Sequence, residues 1–346
     1  MISKKNFALL GCAAAMGMSA STLAAPVVLK VAHQLPPVSA AHTTFIVPWC
    51  EKIEAESKGE LKCQIYPALQ LGGTSAQLFN QVRDGVADIV WTLPGYTPGR
   101  FPASEVFELP FLTTTHEPSA RAIWDFVEKH GANEFKGVKP LAVWVNGANQ
   151  LHMRDKKIET LADLRGLKIR APSRLGNKIL SALGATPVGM PVPQMAESLS
   201  KGVIDGALVP WEVLPSTKAH ELTRYSVETA GNTAMTTATM IYVMNQRKYD
   251  SLTPEQKQVI DANSGREMSA WVASRFEAAD AVGREVALAR GNEVYAISAA
   301  ETEAWKTATQ PVIAEWIREV NGKGLDGAAL VQEARELVQH YTSQAD

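Results

Sequence analysis

Residues 27–32 read VVLKVA, a short apolar run with one lysine, and predict a strand. Apolar residues at helical spacing over 40–57 predict a helix, and LKCQIY at 61–66 predicts the next strand. The alternation continues with helix 75–83, strand 88–92, helix 117–130, and strands 141–146 and 167–170. A helix follows, with Ser173 as its N-cap and Gly184 as its terminating glycine. Residues 203–209 and 237–245 predict two further strands. Strands alternating with helices predict an α/β protein with mostly parallel sheets.

Thr253-Pro254-Glu255-Gln256 combines a capping hydroxyl, Pro at the first helical position and Gln at the third, a strong helix start. Helical pattern then runs to about Arg290, and the next proline is Pro311. At 1.5 Å per residue such a helix reaches roughly 55 Å, longer than one domain is wide, so it is expected to brace two. The chain also echoes itself. Gly85-Val86-Ala87-Asp88 ends a predicted helix and opens a strand, and Gly202-Val203-Ile204-Asp205 does the same. Both strands run into prolines and a tryptophan, at Trp91 to Pro94 and at Val209-Pro210-Trp211. The echo is either a common helix-to-strand turn or the mark of two similar α/β lobes, and the chain length favours two lobes.

Hydrophobic residues make up 46 % and charged residues 20 % of 346 positions, which fits about two globular cores and excludes a disordered or fibrous chain. Lys+Arg 34 against Asp+Glu 36 leaves a net charge of −2 with no basic cluster, so nucleic acid is not an expected partner. Residues 1–24 read as an export signal: Lys4 and Lys5, an apolar stretch, then a small-residue cleavage zone ending at Ala24. The mature chain keeps Cys50 and Cys63, which in an oxidising compartment either pair or stay as buried thiols.

No Gly-x-Ser-x-Gly elbow, His-Glu-x-x-His helix, Cys-x-x-Cys pair, P-loop or Gly-x-Gly-x-x-Gly turn occurs, and no two histidines have ligand spacing on a helix. No enzyme activity, cofactor or metal ion is therefore expected. In open α/β sheets ligands bind beyond the carboxyl ends of strands. Those ends carry His33-Gln34, Trp91 to Tyr96 with Leu93 between them, Asn149 to His152, Arg170 to Ser173, and Val209 to Glu212. Arg170 closes an apolar strand just before a helix N-terminus, a position suited to gripping a carboxylate. Trp91, Tyr96 and Trp211 fit an aromatic wall, and His152 is either a donor to a ligand oxygen or a satisfied structural histidine.

These residues sit in segments that resemble the periplasmic solute-binding proteins of TRAP transporters, the DctP family. The resembling stretches are Gln70 to Gly73, GVADIVWTLPGYTPGRFPASEVFELPFL at 85–112, LADLRGLKIRAP at 161–172, GATPVGMP at 184–191, KGVIDGALVP at 201–210, and 245–256. The resemblance implies a two-lobed periplasmic binding protein with a long helix spanning both lobes. Its expected division is 25–148 with 236–276 for lobe I, 149–235 with 277–330 for lobe II, and a C-terminal helix over 331–346. It further implies an organic acid held through its carboxylate by Arg170, and delivery to membrane permease subunits driven by an ion gradient. A monomer is expected, and a sensor kinase is the alternative recipient.

Departures from the family pattern narrow the ligand. Sugar-acid binders of the family carry charged residues where this chain has Leu93 and Tyr96, and an asparagine where it has Val209. They also carry a second arginine in the strand that here ends at Asn146 to Asn149. Metal-assisted 2-oxo-acid binders carry Glu-Trp where this chain has Leu208-Val209. What remains is one carboxylate anchor in an apolar, aromatic-lined pocket. The expected ligand is an aromatic or apolar monocarboxylate such as a 2-hydroxy or 2-oxo acid, with a C4-dicarboxylate as the runner-up.

Overall fold

Short apolar runs bounded by glycines and prolines become the strands of a computed structural model that describes residues 25–114, 116–231 and 233–345. The export signal expected over 1–24 lies outside the described residues. The strands are β1 Val27–Ala32, β2 Leu61–Tyr66, β3 Ile89–Thr92, β4 Val138–Val145, β5 Gln150–Met153, β6 Lys168–Ala171, β7 Thr186–Gly189, β8 Gly206–Val209, β9 Tyr225–Glu228, β10 Thr239–Asn245 and β11 Glu293–Ala296. They form two sheets, ordered β2-β1-β3-β10-β4 and β11-β9-β5-β8-β6-β7, one in each of two α/β lobes.

The sheets are mixed where mostly parallel ones were expected, and the reason is the path between lobes. The chain leaves the first sheet at β4 and enters the second as β5, which runs antiparallel to both β8 and β9. It returns as β10, antiparallel to both β3 and β4. The two crossings lie side by side. The Asn146 amide donates to the Ala238 carbonyl at 3.0 Å, and the Asn149 amide to the Thr236 carbonyl at 2.9 Å.

The Gly-Val-x-Asp echo marks equivalent places in the two sheets. Gly85 and Gly202 both take left-handed backbone (φ +87° and +67°), which a side chain would strain. Three residues later Asp88 accepts from the Lys30 amide and Asp205 from the Lys168 amide, each at 2.8 Å. Each aspartate thus pins the start of its strand to the central neighbour, β3 to β1 and β8 to β6. The order β2-β1-β3-β10-β4 maps onto β7-β6-β8-β5-β9, so the lobes share one topology, with β11 added at an edge of the second.

The helix expected to run unbroken to Arg290 is two helices, Pro254–Ala262 and Arg266–Ala289. Gly265, at φ +99°, turns the chain between them. The second helix has 24 residues, about 36 Å at the usual rise. It still braces both lobes, packing on the helix His116–His130 and β4 on one side and on the helix Val213–Thr217 and β11 on the other. Two further helices, Ala299–Asn321 and Gly327–Ala345, complete the chain. Cys50 and Cys63 are joined by a disulfide, with Cα atoms 5.7 Å apart, tying the helix Val47–Glu56 to β2. Among the described residues no helix is long and apolar enough to cross a membrane.

Candidate ligand-binding cavity

The carboxyl ends of the parallel strands in both sheets face each other across a small cavity, the place where open α/β sheets bind ligands. The first lobe contributes Gln34 and Leu35 after β1, Trp91 and Leu93 at β3, and Ala238 and Met240 at β10. The second contributes Arg170 and Pro172 at β6, Val192 after β7, and Val209, Pro210, Glu212 and Val213 at and after β8. Asn146 and Asn149 line it from the crossing between lobes.

Arg170 is fully buried, and its position is fixed by backbone. Nε donates to the Met190 carbonyl and Nη1 to the Leu208 carbonyl, both at 2.9 Å. Nη2 has no partner. Among the described residues no carboxylate forms an ion pair with this guanidinium. Burial lowers its pKa from the ordinary arginine value, and the nearby Tyr96 hydroxyl acts in the opposite sense. Arginine remains a cation under any ordinary condition, so the cavity holds a positive charge with no ion-pair partner among the described residues. Two more donors on the cavity lack partners, Asn149 Nδ2 and Trp91 Nε1. A buried cation with unpaired donors beside it is a site for an anion with several acceptors.

The lobes are closed on this cavity. The Tyr96 hydroxyl, from the first lobe, accepts from the Val192 amide of the second at 3.2 Å. Glu105 of the first lobe pairs with Arg174 of the second at 2.5 Å. Gly95 lies so close to Ser173 that a Cβ there would come within 2.7 Å of the serine Cβ.

Of the residues singled out from sequence, Gln34, Trp91, Leu93, Asn149, Arg170, Val209 and Glu212 line the cavity. Five others lie behind its wall. Tyr96 bridges the lobes as described. Ser173 caps the helix Arg174–Ala182, accepting from the Gly176 amide. His33 hydrogen-bonds His42 at 2.9 Å, and burial pushes its pKa down to about 3. His152 is a satisfied structural histidine. Its Nε2 donates to the Val209 carbonyl at 3.2 Å, its Nδ1 accepts from Ser226 at 2.9 Å, and burial lowers its pKa to about 4. Trp211 packs edge-on against that imidazole at 4.7 Å and so supports the wall from outside. Sequence reading missed Asn146 and the apolar liners Leu35, Val192, Val213 and Met240. An apolar side chain facing a cavity carries the same pattern as one facing a core. Among the described residues no group of three or more His, Cys, Asp or Glu is placed to hold a metal ion.

A family of solute-binding proteins accounts for this architecture. The family model for bacterial extracellular solute-binding protein, family 7, matches residues 31–319. The chain belongs to the DctP family. It is a solute-binding protein of the TRAP type, two-lobed like the solved members. A TRAP solute-binding protein from Rhodoferax ferrireducens T118, solved with copurified benzoate, is 45 % identical with a TM-score of 0.91, covering 92 % of this chain and 100 % of that one. One from a marine metagenome, described as specific for aromatic acid ligands and solved with 3-hydroxybenzoate, is 44 % identical at TM-score 0.90, covering 91 % and 99 %. A third, from Bordetella bronchiseptica with bound mandelate, is 29 % identical at TM-score 0.84, covering 91 % and 99 %.

Proposed function

We propose that this DctP protein captures a small aromatic monocarboxylate in the periplasm and hands it to ion-gradient-driven permease subunits of a TRAP transporter, working as a monomer. The observation that carries the reading is Arg170: a buried guanidinium, clamped by two backbone carbonyls, with one free NH2 edge in a small and otherwise largely apolar cavity. The carboxylate docks on Nη2, with Asn149 Nδ2 and Trp91 Nε1 as further donors. The ring lies among Trp91, Leu93, Val209 and the other apolar liners. No second basic residue lines the cavity among the described residues, which disfavours a dicarboxylate. The relatives solved with benzoate, 3-hydroxybenzoate and mandelate support the same class.

Closure follows from the same contacts. Capture shifts an open–closed equilibrium toward the form in which Tyr96 meets Val192 and Arg174 meets Glu105. Tyr96→Phe leaves the Val192 N–H unpaired only when the lobes are closed. Affinity is expected to fall about 3- to 10-fold, near 1 kcal/mol, as read by isothermal titration calorimetry.

A thermal-shift panel tests the function. A ligand that binds only the folded state at 100 times its Kd adds about 2.7 kcal/mol of stability. Benzoate, 3-hydroxybenzoate, mandelate or benzoylformate is expected to raise the melting temperature while succinate, malate and glucuronate leave it unchanged. A shift with the dicarboxylates or the sugar acid, and none with aromatic acids, would overturn the reading.

A further inference from the structure

The cavity has a second pole that the carboxylate anchor does not use. Glu212 lines it, is 3 % exposed, and neither of its carboxyl oxygens has a hydrogen-bond partner. It does not neutralise Arg170. No ion pair joins them, and the neighbouring charge that raises the Glu212 pKa is the Asp280 carboxylate, which is of like sign.

The placement of Glu212 is held from outside the cavity. Its backbone N–H donates to Asp280 Oδ1 at 2.7 Å, and Asp280 Oδ2 is in turn 2.9 Å from His116 Nε2. Gly283 of the bracing helix has no side chain to hold the 211–212 backbone away, and a Cβ there would come within 3.2 Å of the Glu212 nitrogen. Burial, and then Asp280, push the carboxyl well above the usual carboxylate range, a shift toward the protonated form. A protonated carboxyl is one O–H donor and one carbonyl acceptor. A hydroxyl group matches both at once, and an apolar ring edge matches neither. Left facing an apolar ligand, both groups stay unpaired at the usual cost of buried polar atoms.

We propose that Glu212 is a specificity-determining residue, whose carboxyl group hydrogen-bonds a hydroxyl carried by the body of the acid while Arg170 holds the carboxylate. This rests on the aromatic-acid reading above and narrows it to hydroxylated aromatic acids. Selectivity for the hydroxyl is expected to be about 10- to 100-fold, because its absence strands buried polar groups on the protein.

Calorimetric titration of the three hydroxybenzoate isomers and mandelate, against benzoate and phenylacetate, tests it on wild type, Glu212→Gln and Glu212→Leu. Wild type is expected to bind at least one hydroxylated acid 10- to 100-fold more tightly than its hydroxyl-free parent. Glu212→Gln, which keeps a donor and an acceptor, retains most of that preference. Glu212→Leu loses it, and binds the hydroxyl-free parent more tightly than wild type does, because no buried polar group is left stranded. Should Glu212→Leu fail to fold, the methyl ether of the preferred acid is titrated on wild type instead. Loss of the preference with the ether supports the role, and its retention overturns it. A preference absent in wild type, or unchanged in Glu212→Leu, overturns the assignment of Glu212 and leaves the aromatic-acid reading standing. Failure of every aromatic acid to bind wild type overturns both.

Discussion

Arg170→Ala is expected to lower affinity for the aromatic acid by about 3–5 kcal/mol, roughly 150- to 5,000-fold, because it leaves a buried carboxylate without its cation. Calorimetry on the wild type and the variant measures it directly. The sign of the stability change separates a binding role from a structural one. In the unliganded protein the guanidinium is a buried charge without a counter-ion, which costs stability. It also satisfies the Met190 and Leu208 carbonyls, which the alanine leaves unpaired. These effects oppose each other, so the melting temperature of the free protein should move little while affinity collapses. Arg170→Lys should also bind weakly, since one ammonium cannot reproduce a planar fork that spans two carbonyls and a ligand. Near-normal affinity in Arg170→Ala would remove the anchor from the account.

Gly283→Ala is expected to cost about 2 kcal/mol of stability and roughly tenfold in affinity, against what helix propensity alone dictates. Alanine is better than glycine in a helix interior by about 0.5–1 kcal/mol. At this position the added Cβ would overlap the Trp211 carbonyl oxygen and come within 2.5 Å of its carbon. The Cβ is fixed by the helix backbone and meets backbone atoms of Trp211, so no rotamer change relieves the clash, and overpacking of this kind costs about 1–3 kcal/mol or more. The clash outweighs the propensity gain. It also displaces the segment that carries Glu212 and supports the cavity wall through Trp211. Denaturant unfolding together with calorimetry reads both effects. A variant more stable than wild type would mean that the bracing helix does not seat on Trp211 as described.

Much of the frame was legible in the sequence. β1 and β2 fall where their apolar runs predict, and Ser173 and Thr253 cap the helices that their positions announce. The Gly-Val-x-Asp echo held real topology, because a left-handed glycine and a strand-pinning aspartate are local requirements that any such turn imposes. Four short strands were not legible. β5 reads QLHM, and four residues are too few for its alternation to stand out from the flanking loop. β7 contains Pro187, which an edge strand tolerates but which argues against a strand by pattern. β9 and β11 have only four residues each. The helix break at Gly265 was hidden because apolar periodicity resumes directly after it.

For the cavity, strand ends were the informative signal. They located Arg170, Trp91, Leu93, Asn149, Val209, Gln34 and Glu212 without any knowledge of which sheet each strand joins. Residue type misled where chemistry is ambiguous. Trp211, Tyr96 and His152 look like ligand-facing groups in sequence, yet they brace the wall through contacts that depend on tertiary packing. The reversed strands β5 and β10 were equally out of reach, since direction within a sheet follows from the path between lobes.

The most direct test is a crystal structure of the mature protein with the acid that gives the largest thermal shift. The expected result is closed lobes, the carboxylate hydrogen-bonded to Arg170 Nη2 and Asn149, and the ring lying against Trp91, Leu93 and Val209. A carboxylate bound away from Arg170, or an acid seated outside the space between the lobes, would contradict it.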